Sequence, residues 1–266
     1  REGSAPAPAD WPALAVASGF ADDEADYYDR LREATLSATR AAVTERERAD
    51  DQQLVHAVRA MDDCARTANE LAERATEWAG ALFDEADSGV DGARAVAERE
   101  PETAAERRAV SLAERVADLA DEADELGRFI EETAPAVAPN LAAMAGPVLA
   151  SRLMALAGGL KPLARKPSGT VQVLGAEDAL FAHLAGRAPS PKHGIIYTHD
   201  YVRGTRPEDR GSAARAFAGK LAIAARIDHY SGDYRPDLHD ELRERMATIR
   251  ARAEDGSGGD DDADSG

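Results

Sequence analysis

Apolar and small residues recur at helix spacing along most of this 266-residue chain. In DDEADYYDRLREATLSATRAAV, from Asp22 to Val43, the positions Tyr28, Leu31, Thr35 and Ala38 predict a helix. A second helix is expected from about Asp50, where Leu54, Val58, Met61, Ala65, Ala68, Ala72, Ala75, Ala79 and Leu82 alternate steps of four and three. That is a heptad seam sustained over four repeats. The stretch DEADSGVDGARAVAERE, with two glycines, interrupts it, and Pro101 is expected to open a third helix because the first N–H of a helix has no partner to lose. In this helix Ala105, Ala109, Leu112, Val116, Leu119, Ala123, Leu126, Ile130 and Thr133 resume the alternation. Two such helices joined by a short polar turn predict an antiparallel coiled-coil hairpin. Leu112, Val116, Leu119 and Leu126 are the expected dimer contacts, and a spacer arm without a partner is the alternative.

Beyond Pro135 and Pro139 the pattern changes, because NLAAMAGPVLASRLMALAGG is apolar nearly all round. A buried helix of about 18 residues is expected, kinked at Gly146 and Pro147 and stopped at Gly158 and Gly159. LKPLARKPSGT reads as a loop, and another helix starts at Gly175 with Glu177 and Asp178 in its first turn. PSPKHGIIYTHDYVRGTRP reads as a rigid, proline-bounded loop. A helix from about Pro207 to Gly232 follows, then an amphipathic one from Pro236 through Leu238, Leu242, Met246 and Ile249. The expected organisation is a linker or remnant over residues 1–21, a coiled-coil arm over 22–135, a helical module over 136–254 and a disordered acidic tail over 255–266.

Composition narrows the fold class. Aromatic residues are only 5% of the chain and alanine is abundant, so the packing must be close contact between helices through small side chains, in an all-α fold. The formal charge is −18, and lysine occurs only at positions 161, 166, 192 and 220. An acid excess with few lysines fits a protein of a salt-rich cytoplasm, where molar salt shortens the Debye length to about 3 Å. Cys64 is the one cysteine, which excludes an internal disulfide and points to a reducing interior. With no run of 18 apolar residues and no signal peptide in view, no membrane contact and a cytoplasmic location are expected. The chain begins with Arg1, so residues upstream of it are expected.

One segment runs against the acidic balance. Gly158 to Arg235 holds 12 Lys or Arg against 7 Asp or Glu, and a confined basic patch is the footprint of nucleic-acid binding. Arg215 and Arg226 lie 11 residues apart on the predicted helix, three turns plus about 20°, so they leave one face about 16 Å apart. Gly211, Gly219 and Ala222 stand near that face and would let another backbone approach. Phe217, Leu221, Ala224 and Ala225 form the opposite, apolar stripe. The loop before the helix carries Lys192, His193, His199, Arg203 and Arg206, and Arg210 and Lys220 complete the expected RNA contacts.

No catalytic constellation emerges. The glycines and lysines of GGLKPLARKPSG lack the spacing of a phosphate-binding loop. His183, His193 and His199 lack the helical pairing or cysteine partners of a zinc site. Neither a cofactor nor a metal is expected.

The order APNLAAMAGPVLASRLMALAGGLKPLARKPSGTVQVLGAEDALFAHL, then PKHGIIYTHDYVRG, then ARAFAGKLAIAARIDHYSG, resembles the Nop domain of archaeal scaffold proteins of box C/D ribonucleoproteins. The segment DQQLVHAVRAMDDCARTANELAERATEWAGALF is similar to the one preceding that domain in the same family. The resemblance implies a non-catalytic scaffold that self-associates as a homodimer and holds fibrillarin through an amino-terminal domain. It also implies binding of a kink-turn guide RNA together with a small ribosomal-type protein. Fibrillarin, with S-adenosylmethionine, then performs guided ribose 2′-O-methylation. By the same resemblance Lys192, Arg215 and Arg226 contact RNA, and Gly175, Ala176 and Glu177 form a loop and helix start facing RNA or partner. Asp178 stands where the family has lysine, and the fibrillarin-holding domain is expected to be missing from these residues except for the linker-like start and the helix after it. A coiled-coil adaptor that binds protein alone is the competing reading.

Overall fold

The helical periods fold as helices. The computed structural model describes residues 9–83 and 87–255, and those residues contain thirteen α-helices, one 3₁₀ turn and no strand. The residues divide into two compact units, one ending at Ala49 and one beginning at Asp50. The expected boundary between residues 21 and 22 is not where they part. The acidic tail from residue 256 onward and residues 1–8 of the expected linker lie outside the described residues.

In the first unit a short helix, α1 (Trp11–Ala17), stands where a linker was expected. Asp10 caps it by accepting from the Ala13 N–H, and Pro12 sits in the first turn, where its missing donor is harmless. α2 (Glu24–Glu47) is capped by Asp23, which accepts from the Asp26 N–H at 2.8 Å. None of its 24 residues is buried.

In the second unit, α3 (Asp50–Gly80) and α5 (Ala104–Val137) are the two arms of the predicted hairpin. Between them lies a helix that was not expected, α4 (Gly89–Ala97), which buries Ala93 and Val96 against both arms. α5 begins at Ala104 and not at Pro101. Thr103 accepts from the Glu106 N–H, and the Glu106 carboxylate returns to the Thr103 N–H, so a capping box sets the start. Pro135 lies inside the last turn of α5 and does not end it, since so close to the terminus it removes little of the helical ladder.

The apolar run after Pro139 is two helices, α6 (Pro139–Ala145) and α7 (Pro147–Ala157), bent by 116°. Gly146 at φ +79° makes the corner, and Pro147 starts the second helix in place of kinking one long one. The expected loop after Gly159 holds α8 (Leu160–Ala164) and α9 (Ser168–Val173). Both are too short to be seen as a period. The start of α8 is fixed from far away, by Asp51 of α3 accepting from the Leu160 N–H at 2.8 Å. α10 (Glu177–Leu184), the 3₁₀ turn Ile195–Thr198, α11 (Asp200–Arg203), α12 (Arg210–Tyr230) and α13 (Pro236–Asp255) complete the chain.

One core joins the base of the hairpin to the module. Leu54, Val58, Ile130 and Ala134 of the arms pack in the same cluster as Leu141, Leu153, Phe217 and Leu221, so no core boundary falls near residue 135. The far half of the hairpin has its own core of Ala68, Ala72, Ala75, Ala79, Ala113 and Val116. Val116, expected as a dimer contact, is thereby enclosed within its own hairpin, and Leu112, Leu119 and Leu126 are partly covered in the same way.

A buried carboxylate ties the module together. Asp228, near the end of α12, accepts from the backbone N–H groups of Asn140 and Leu141 and from the Asn140 amide, at 2.6 to 3.0 Å. The same Asn140 donates to the Asp233 carbonyl and accepts from the Arg235 N–H, which sets the turn into α13. Burial pushes the Asp228 carboxyl above its ordinary value, and the three donors oppose that shift. Asn at position 228 would turn an amide donor toward N–H groups that need an acceptor. D228N should therefore lower the unfolding free energy by about 3 kcal/mol, read by urea denaturation with circular dichroism; unchanged stability would refute the clamp.

Candidate nucleic-acid interface

The basic helix is α12, and the alternation of its faces follows the sequence. Phe217, Leu221, Ala224 and Ala225 are buried, while Arg215 and Arg226 are exposed. Gly219 borders open space, since a side chain there would meet nothing within 4 Å. Ala222 departs from expectation: it is buried in the core, and Ile223 takes the outward position. The two arginines are not equivalent. Arg226 donates from Nε to the Ala164 carbonyl and from Nη2 to the Lys166 carbonyl, both at 3.2 Å, so it closes the end of α8. Among the described residues, no hydrogen bond or ion pair holds the Arg215 guanidinium.

The loop before α12 is docked by its backbone. The Gly194 N–H donates to the Gln172 carbonyl at 2.8 Å, and the Ile195 N–H to the Leu174 carbonyl at 2.7 Å. A Cβ on Gly194 would lie 1.9 Å from the Leu174 oxygen, so only glycine permits this approach. The Gln172 amide donates to the Lys192 carbonyl at 2.7 Å, which leaves the Lys192 side chain exposed. Its Cδ passes 3.9 Å from where a Gly211 side chain would begin. Gly211, Arg215 and Gly219 follow one another at single-turn intervals. Lys192 and Arg215 therefore lie along one open edge of α12.

The other expected contacts have partners within the protein. The His193 ring stacks on Tyr197 with centroids 4.6 Å apart, and Arg210 lies over the same Tyr197 ring. Burial first, and the nearby Arg210 charge second, hold the His193 imidazole below its ordinary value. His199 is an internal cap: its Nδ1 accepts from the Tyr201 N–H at 3.1 Å, and its ring packs on Phe217. Burial lowers its pKa too. Arg203 pairs with Asp200, Arg206 with Glu208 and Lys220 with Glu241. Arg210 donates from Nε to the Thr205 carbonyl at 3.0 Å, while Arg250 of α13 donates to the Asp200 carbonyl and to Thr205 Oγ1. These two arginines bracket the turn after α11 and position it. No spacing in the sequence announces Arg250, because it meets that turn from 45 residues away.

An open groove of about 770 Å³ runs between α12 and α13. Arg215, Gly219, Lys220 and Arg226 line one side, Glu241, Glu244 and Arg245 the other. The α13 wall was not visible in the sequence, since only tertiary packing brings it opposite α12. Gly175, at φ +81°, and Ala176 lead into α10, where Glu177 turns back to accept from the Gly175 N–H at 2.9 Å. α10 buries none of its residues and leaves Phe181 64% and Leu184 73% exposed. Among the described residues no group of His, Cys, Asp and Glu could hold a metal ion, and no single helix is long and apolar enough to cross a membrane.

The sequence model described as "Nop: snoRNA binding domain, fibrillarin" matches residues 49–249. An uncharacterised NOP5 family protein of Methanocaldococcus jannaschii is 48% identical over 144 residues, which cover 54% of this chain and 34% of that protein. Nucleolar protein 56 of Schizosaccharomyces pombe is 40% identical over 122 residues, covering 46% of this chain and 24% of its relative. The matches thus span 34% and 24% of these relatives' lengths. Among solved structures, the crystal structure of a fibrillarin/Nop5p complex superimposes with a TM-score of 0.56 at 27% identity, covering 94% of this chain and 88% of that one. With the match running from residue 49 to residue 249, well over half its length, this all-α chain belongs to the Nop family.

Proposed function

We propose that this chain is a non-catalytic scaffold of a box C/D ribonucleoprotein. It grips a kink-turn guide RNA already bound by a small ribosomal-type protein and holds fibrillarin for guided ribose 2′-O-methylation. The observation that carries this reading is the open edge of α12. In a chain of formal charge −18, most basic groups around that helix are engaged with carboxylates or carbonyls, while Lys192 and Arg215 are exposed beside two glycines. Unpaired cations next to backbone that can be approached closely suit a phosphate chain. The family match supports RNA as the ligand, and the likeness to a chain crystallised with fibrillarin supports the second partner.

The exposed Phe181 and Leu184 of α10, just past the Gly175–Glu177 turn, are a fitting apolar contact for the small protein that rides on the RNA. Self-association belongs to the same reading. With Val116 enclosed, a second copy would meet the outer surface of the hairpin, where Trp78 and Phe129 remain exposed.

A band shift with a kink-turn RNA preloaded with its small protein tests the RNA contact. R215E should weaken binding at least about tenfold with the helical circular dichroism unchanged, because its side chain touches no core. Binding that survives R215E would favour an adaptor that contacts protein alone. Multi-angle light scattering of the full chain should report twice the chain mass at high concentration, and a monomer at every concentration would defeat the dimer.

A further inference from the structure

The groove between α12 and α13 has a feature that the RNA reading leaves unused. Its α12 wall is basic, with Arg215, Lys220 and Arg226, while the α13 wall is mixed, with Glu241, Glu244 and Arg245. One carboxylate crosses the groove: Glu241 Oε2 pairs with Lys220 Nζ, 21 residues away and on a different helix. The Lys220 side chain is 22% exposed and that of Glu241 60%, so the lysine is partly withdrawn under its partner while the carboxylate faces water. Other exposed pairs nearby, Arg243 with Asp240, Arg203 with Asp200 and Arg206 with Glu208, join residues two or three positions apart in the chain. The Lys220–Glu241 pair alone among these spans the groove beside Arg215.

We infer that Glu241 acts as an internal stand-in for a phosphate, holding Lys220 in the free protein and being displaced when an RNA phosphate enters the α12–α13 groove. This rests on the RNA-binding reading of α12 and adds to it a residue that sets affinity and salt response. A cation that binds phosphate normally releases a condensed counterion, which steepens the fall of affinity with salt by about 0.9 per contact on a duplex. Lys220 instead exchanges one carboxylate for one phosphate. Its contact therefore adds little to the salt slope, and breaking the existing pair costs part of its binding energy. Arg215, with no such partner among the described residues, keeps the full salt dependence.

The test measures binding of the full chain to the preloaded kink-turn RNA at several salt concentrations. E241Q should tighten binding about two- to fivefold at low salt, the range expected for release of one exposed ion pair. It should also steepen the salt slope by about 0.7 to 0.9. The double variant K220Q/E241Q should lose both effects, which assigns them to Lys220 and not to a general drop in negative charge. E244Q, on the same wall without that pair, should leave the slope unchanged and serves as the charge control. If E241Q and E244Q act alike, or if E241Q alters neither affinity nor slope while R215E still weakens binding, the stand-in is refuted and the RNA interface stands. If the parent chain shows no affinity for the RNA, the functional reading fails and this inference falls with it.

Discussion

The Asp228 carboxylate is the joint on which the module depends. Two helices with no sequence proximity, α6 at the foot of the long hairpin and α12 on the basic face, meet where three N–H groups converge on one buried side chain. Each helix N-terminus has donors without internal partners, and here a charged acceptor from another helix satisfies them in place of a local cap. Asn140 then passes the constraint on to the turn before α13. Through these few bonds the end of the arm, the basic helix and the wall opposite it hold one geometry.

The hairpin and the module are one packing unit as a consequence. Arg152 of α7 pairs with Asp62 of α3, Asp51 caps α8, and Arg59 donates to the Ala155 carbonyl at 3.1 Å. Below these polar ties the core is built from alanine, leucine and methionine, with Phe217 among the largest buried side chains. Small side chains bring helix axes close, so the shape follows from close contact over long surfaces more than from a few large residues. An arm anchored in this way transmits its orientation to the basic face.

Charge is allocated with similar economy. Several arginines around α12 are engaged within the protein: Arg226 at the end of α8, Arg210 and Arg250 around the turn after α11. The guanidinium group suits this because it donates along several directions and stays charged when partly covered. Among the described residues, Arg215 and Arg245 line the groove with no hydrogen bond or ion pair of their own, and Lys192 is exposed beside Gly211. A local excess of positive charge in the sequence thus overstates how many cations the fold leaves without partners.

Periodicity in the sequence was enough for the all-α fold, both arms of the hairpin, the buried stripe of α12 and the exposure of its arginines, because a run of many turns repeats the same burial signal at every turn. The short helices α1, α4, α8 and α9 were missed, since a helix of fewer than three turns owes its existence to caps and neighbours such as Asp51 or the two arms over Ala93. The role of each charged residue was likewise out of reach. His199 as an internal cap, Arg226 as the closure of α8, Val116 as hairpin interior and Glu241 opposite Lys220 depend on partners 2 to 62 residues away. The sequence by itself determined which faces are apolar and where positive charge gathers, because both are properties of a single helix. Only the tertiary structure decided which cations are spent on the protein's own carbonyls and carboxylates, because that depends on which groups other helices bring within hydrogen-bond reach.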